Sequence, residues 1–237
     1  MSDKEFEIDK QLHAVSGYGK CTFLLCAAVG LIVLYPVGSN STLGEVIYIA
    51  TSAIVYIAGV YLIGMTSRSV YFIAGVALAA SILELVSIRQ KNEMLFVFSI
   101  VFSTIFYTVI VKHIMKYILL RGPITADKLH GATAVFITLA FLWTGIYVVI
   151  EILQPGAFAF ADEKNLGDPW RYYDLLFFSF NTLITLGYGD ISAISDYARM
   201  MSILQQTAGV FFVAVLIARL AGVNLPRGPS SGGGGRG

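Results

Sequence analysis

The sequence predicts an all-α membrane protein: six transmembrane helices, with a short re-entrant helix and an irregular loop between the last two. Three observations lead there. Of 237 residues, 57% are hydrophobic and 13% charged, with mean hydropathy +0.75, whereas about a quarter of a soluble domain is charged. Six apolar stretches come near or exceed the roughly 20 residues a helix needs to cross a bilayer. A seventh, residues 175–184, is too short to cross and runs into Thr185-Leu186-Gly187-Tyr188-Gly189-Asp190.

The six spans are residues 20–37, 43–65, 70–88, 94–119, 129–153 and 197–223. Turn chemistry separates the first five: Pro36-Val37-Gly38-Ser39-Asn40, Thr66-Ser67-Arg68, Arg89-Gln90-Lys91-Asn92-Glu93 and Arg121-Gly122-Pro123. The short stretch reads as re-entrant, because irregular backbone at membrane depth survives only where protein or a water-filled cavity covers it. Cys21 and Cys26 lie five apart on the first span, which suits packing rather than a disulfide or metal site. His13, His113 and His130 are scattered and read as membrane-edge residues. A net charge of +1 argues against a nucleic-acid partner. The polar, acidic N-terminus and the lack of a small-residue cleavage site predict no cleavable signal peptide.

Orientation follows from the basic residues. With the N-terminus inside, the inner side holds eleven of them: Lys4, Lys10, Lys20, Arg68, Lys112, Lys116, Arg121, Lys128, Arg219, Arg227 and Arg236. The outer side holds five, Arg89, Lys91, Lys164, Arg171 and Arg199, so both termini are expected in the cytoplasm. The expected location is the plasma membrane, which is the inner membrane of a bacterial cell. The 154–196 loop then faces outward with Asp162, Glu163, Asp168, Asp174, Asp190 and Asp196, a negative vestibule that would favour cations.

Two glycines flanking an aromatic let consecutive backbone carbonyls point one way into a narrow pore, where they can replace the water a cation sheds. The order long helix, outer loop, short helix, T-L-G-Y-G-D, long helix resembles the pore module of tetrameric potassium channels over about residues 127–222. The resemblance implies that the Thr185 hydroxyl and the carbonyls of Thr185, Leu186, Gly187 and Tyr188 bind K+, with Gly189 completing the filter. It implies no cofactor other than the permeant ions. One repeat per chain implies a homotetramer around a central pore. A second GYG, Gly17-Tyr18-Gly19, lacks a preceding short helix and reads as a hinge into the first span.

The resemblance also implies a supporting shell of Asp190, Asn181, Phe177, Phe178, Thr182 and Glu151. Leu186 stands where Val is commoner in that family. Phe177 and Phe178 stand where many relatives have Trp, so the ring is kept but its N–H donor is lost. The Asn181 amide is expected to donate to Asp190 or Tyr188 in its place. Glu151 resembles a glutamate that braces the outer mouth, the alternative being an interfacial acid facing water. Gly209, 19 residues past Asp190, stands where the family has a glycine hinge, and close helix packing is the competing reading. Val210, Val213, Ala214 and Ile217 are candidate cavity residues, with Ala218 and Ala221 at the inner crossing.

A six-helix layout raises voltage gating, which needs arginines spaced through the fourth span. Residues 94–111 contain no Lys or Arg, and Lys112 and Lys116 read as cytoplasmic anchors. Voltage dependence is therefore expected to be weak or absent, a pattern similar to prokaryotic six-helix channel-like proteins without a charged sensor. Glu84 is the one acid deep in the first four spans, a functional candidate that burial would leave neutral or that would pair instead with Arg89 or with a tyrosine of the second span. The domain reading is a cytoplasmic N-terminal segment (1–19, its residues 2–16 a candidate interfacial helix), a four-helix non-voltage-sensing membrane domain (20–119), the pore module (120–223) and a tail (224–237). The tail's Gly, Pro and Ser content predicts disorder, and its length predicts no regulatory domain there. No span carries paired His, Cys or carboxylates at catalytic spacing, so an enzyme is not expected. A non-selective cation channel of the same fold and a subunit of a potassium transporter are the alternatives.

Overall fold

The computed structural model describes residues 19–38, 42–64, 68–90, 92–119, 125–161 and 171–223. The candidate N-terminal interfacial helix, the C-terminal tail, and Asp162, Glu163 and Asp168 of the expected vestibule lie outside the described residues.

Seven helices and two short strands are described: α1 Lys20–Gly38, α2 Thr42–Ile63, α3 Arg68–Gln90, α4 Glu93–Leu119, α5 Ala126–Leu153, β1 Phe158–Phe160, α6 Tyr172–Leu183, β2 Ile191–Ala193 and α7 Asp196–Val223. Among the described residues, five helices (α2 to α5 and α7) are long and apolar enough to cross a bilayer, and the chain is a multi-pass membrane protein. The apolar part of α1, Lys20–Leu34, is shorter than that. Helix α6 has only 12 residues, about 18 Å at 1.5 Å per residue and too short for the roughly 30 Å hydrocarbon core.

Helix starts follow local chemistry. The Asn92 carboxamide Oδ1 accepts from the backbone N–H of Met94 (3.0 Å) and Leu95 (3.3 Å), so the polar break before the fourth span doubles as an N-cap. Thr125 is extended (φ −93°, ψ 159°), and its Oγ1 accepts from Lys128 N–H as α5 begins. Many hydroxyls within the spans are satisfied inside their own helix. Thr51, Ser99, Ser103, Thr104, Thr138 and Thr144 each donate to a carbonyl three or four residues back.

Helix α5 is the hub, half of its span buried, because α1, α4, α6 and α7 all pack against it. Small residues bring the helices close: Gly131 faces the Cys21 side chain of α1, and Gly59 of α2 faces the Phe106 ring of α4. Tyr107 of α4 stacks on Phe141 of α5 (5.9 Å, 26°), and Phe141 meets Phe180 of α6 edge-on (6.2 Å, 84°). Of the first four helices, α1 and α4 thus pack directly on α5 of their own chain. By contrast, only 17% of the α7 span is buried, which leaves most of that helix without a protein neighbour within one protomer.

Candidate functional site

The site is built where α6 ends. Its last carbonyls need partners beyond the helix, and the emerging chain supplies them. Ile184 N–H donates to Phe180 O (3.1 Å), Thr185 N–H to Thr182 O (3.1 Å) and Leu186 N–H to Asn181 O (2.8 Å). From there the backbone alternates in hand. Thr185, Gly187 and Gly189 have φ of +57°, +64° and +83°, while Leu186 and Tyr188 between them stay at negative φ. In a uniform strand successive carbonyls face opposite sides, and alternating the sign of φ is what turns them to a common side. The glycines take this conformation freely. A β-branched residue does not, so Thr185 concentrates backbone strain at the start of the loop, of the order of 1–3 kcal/mol. Residues 184–190 all lie exposed on the protomer.

The supporting residues divide in a way the sequence did not foretell. The Phe177 ring stacks on Tyr188 (5.8 Å, 25°), turning the tyrosine toward α6. Phe178 points elsewhere, into an aromatic cluster with Tyr147 (5.2 Å) and Phe158 (5.3 Å). Asn181 corrects the expectation for its amide: Nδ2 donates to Phe177 O (2.9 Å), one turn back on its own helix, and not to Asp190 or Tyr188. Its link to the loop is its main-chain carbonyl, the acceptor for Leu186. Thr182 is buried and serves the loop through its backbone as well.

Glu151 accepts from the backbone N–H of Gly156 (3.0 Å) and of Phe158 (3.1 Å), pinning the turn after α5. That turn launches β1, which pairs antiparallel with β2 in the register Phe158–Ala193, Ala159–Ser192 and Phe160–Ile191. Ala161 N–H then donates to Asp190 O (2.8 Å), while the Asp190 side chain accepts from Ile191 N–H (3.1 Å). Glu151 reaches the far end of the loop through this two-stranded ribbon. Asp174 pairs with Arg171 (3.2 Å), whose guanidinium lies over the Phe160 ring (3.9 Å).

A family model described as an ion channel matches residues 132–224, from the second turn of α5 past the end of α7. The match supports an ion channel of the pore-loop family. No curated protein and no solved structure matches the chain. The matched segment takes in most of α5, the ribbon, α6, the loop and α7.

Within the matched segment, Gly209 is a close contact. A Cβ there would collide with the Leu183 backbone oxygen and come within 3.1 Å of the Leu183 Cδ1. Helix α7 runs unbroken through it, so packing is the role this conformation displays. Val210, Val213 and Ile217 are exposed on the protomer, as are Ala214 and Ala218. Ala221 falls within α7, where its side chain lies outside the described residues.

Sequence reasoning missed a group of residues behind the loop. Tyr147 of α5, Ser179 of α6 and Gln205 of α7 are each 0% exposed and hydrogen-bonded to one another. The available signal was a glutamine and a serine inside apolar segments, where polar side chains are expensive unless paired. At Glu84 the tyrosine alternative is the one realised. Ser52 Oγ donates to Glu84 Oε2 (3.1 Å) and Tyr48 bonds the same carboxyl, both from α2, whereas Arg89 does not.

Proposed function

We propose that four copies of this chain form a potassium-selective channel that conducts passively through residues 185–189. The observation that carries the reading is the alternation of backbone hand at Thr185, Gly187 and Gly189 within the sequence T-L-G-Y-G-D. On this reading the Thr185 hydroxyl and the carbonyls of Thr185, Leu186, Gly187 and Tyr188 replace the hydration shell of K+, which no single protomer has enough oxygens to do. Four-fold assembly would also cover the α7 residues left open in the protomer, Val210, Phe211, Val213 and Ile217 among them, apart from those lining the cavity. The first four helices, with no basic residue across 94–111, would serve as a non-voltage-sensing surround, and α1 would be the sixth span. Both termini would lie in the cytoplasm and the ribbon outside, in the plasma membrane.

The test is purified full-length protein in planar bilayers under a potassium/sodium gradient with voltage ramps. Reversal near the potassium equilibrium potential, and a near-linear ramp in symmetric potassium, are the expected results. A reversal near zero would reject selectivity, and strong voltage-dependent activation would reject the role given to the fourth helix. Native mass measurement of the detergent-solubilised protein should give four chains.

A further inference from the structure

We propose that Gln205 is the positioning residue that ties the inner helix α7 to the short helix α6, so that movement of α7 is transmitted to the loop that α6 carries. The proposal rests on the reading of residues 185–189 as the conducting filter.

A glutamine side chain brings two N–H donors and an acceptor oxygen, and leaving any of them unpaired in a buried site is costly. Here all are used. Gln205 Oε1 accepts from the Tyr147 hydroxyl (2.5 Å), while Nε2 donates to both Ser179 O (2.9 Å) and Ser179 Oγ (2.8 Å). Ser179 Oγ passes its own hydrogen to Ala140 O (2.8 Å), two turns before Tyr147 on α5. One amide thereby joins three helices in a chain that begins and ends on α5. Flipping the amide would set its oxygen against the Ser179 carbonyl oxygen, so only one orientation satisfies the group.

The second element is register. Gln205 meets Ser179, and one turn further along both helices Gly209 meets Leu183 through its missing Cβ. Helix α7 is thus held to α6 by a polar anchor and a backbone contact spaced four residues apart on each chain segment. Sliding or rotating α7 breaks both together. These contacts bracket Asn181 and Thr182, whose carbonyls hold Leu186 and Thr185. A displacement of α7 therefore acts on the residues that set the first turn of the loop.

The test uses full-length tetramer in bilayers, comparing wild type with Gln205→Met, Tyr147→Phe and the double variant Tyr147→Phe/Gln205→Met. Gln205→Met keeps length and volume but removes the anchor. Its open probability is expected to change about five- to tenfold, the factor that one buried hydrogen bond is worth, together with a raised sodium/potassium permeability ratio. Tyr147→Phe leaves Gln205 Oε1 unpaired, so its tetramer should melt earlier. The double variant, with both partners apolar, should recover the melting temperature. If Gln205 only stabilises the fold, opening and selectivity recover with it. If Gln205 positions the filter, both stay altered in the double variant.

Wild-type opening and reversal in Gln205→Met would overturn the proposal, as would their recovery in the double variant in step with stability. Should Gln205→Met fail to assemble, Tyr147→Phe decides, since loss of one hydroxyl must then alter opening, and unaltered opening overturns the proposal. A wild type reversing near zero overturns the potassium reading instead, and the open-probability comparison still decides on Gln205.

Discussion

In the first four helices one buried polar cluster centres on Glu84, and in the segment from α5 to α7 another centres on Gln205. Glu84, 6% exposed, takes hydrogen bonds from hydroxyls of α2 beside a cavity of about 20 Å3, whose wall includes Tyr48, Ser52, Tyr56, Tyr107 and Tyr172. Hydroxyls rotate and exchange donor for acceptor roles, and a cavity of that size has room for one water molecule. Several hydrogen-bonding arrangements can satisfy that cluster. The Gln205 cluster is built on a planar amide whose oxygen and nitrogen have fixed partners, and one orientation of the amide satisfies it. On the proposed reading the difference matches what each region must hold constant: the first four helices need their polar groups paired, whereas a filter loop needs its backbone in a single conformation.

The largest effect expected from this contrast comes from two glycines with the same backbone. Gly64, at the end of α2, and Gly187 both sit at positive φ (+82° and +64°) with nothing within 4 Å of an added Cβ. Alanine at either carries a similar left-handed penalty of about 1–2 kcal/mol per chain. If residues 185–189 form the filter of a tetramer, as proposed, Gly187→Ala is expected to abolish selective current while leaving the tetramer intact on native gels. Gly64→Ala should lower the melting temperature by a similar amount and leave the reversal potential unchanged. Loss of selectivity in Gly64→Ala would break the separation between the two regions.

A second pair tests contact instead of conformation. Gly209→Ala drives a methyl group into the Leu183 carbonyl, and such overpacking costs about 1–3 kcal/mol. Gly75 of α3 has no atom near an added Cβ, so Gly75→Ala should be neutral or mildly stabilising. We expect Gly209→Ala to lower both tetramer stability and current, and Gly75→Ala to change neither appreciably. If Gly209→Ala melts and conducts like wild type, α7 does not rest on Leu183 in the working channel.

A smaller effect is expected at Glu151. Its carboxylate satisfies two backbone N–H groups of a half-exposed turn, so Glu151→Ala should cost about 1 kcal/mol. Because the ribbon ends at Asp190, the loss should show as faster closure of the outer mouth during sustained potassium current, with the first four helices unaffected. Unchanged closure kinetics would confine Glu151 to the turn.

These comparisons also mark what the sequence could disclose. Long apolar runs announce helices because the bilayer demands them, and Gly187 and Gly189 announce a special backbone because other residues resist it. The ribbon was not legible: Phe158–Phe160 and Ile191–Ala193 are three-residue strands whose pairing depends on the path of the chain between them. The Asn181 partner was misjudged for a local reason, since a carbonyl four residues back on the same helix is always within reach of the amide. Gln205 escaped because Gln206 adjoins it and the sequence gives no sharp phase for α7. Only the packed helix shows that Gln205 is buried and Gln206 exposed.

Glu84 should give the smallest change, and it is the sharpest probe of how far the two regions are independent. Glu84→Gln keeps a carbonyl oxygen for Ser52 and Tyr48, and the one hydroxyl hydrogen of Ser52 has Ile49 O, at 3.0 Å, as a second acceptor. The stability change should stay within about 1 kcal/mol, whereas Glu84→Leu removes the acceptor and should cost about 1–3 kcal/mol. Thermal melting of the tetramer separates these two outcomes. Neither variant should shift the potassium/sodium reversal potential, because the Gln205 anchor and the Leu183 contact are untouched. One route links the two regions: Tyr172, the first residue of α6, lines the Glu84 cavity and bonds Tyr48. A shifted reversal potential in Glu84→Gln, or a current–pH profile that differs from wild type, would mean that this tyrosine carries the state of the peripheral cluster into α6. The adaptable cluster would then be an input to the fixed one.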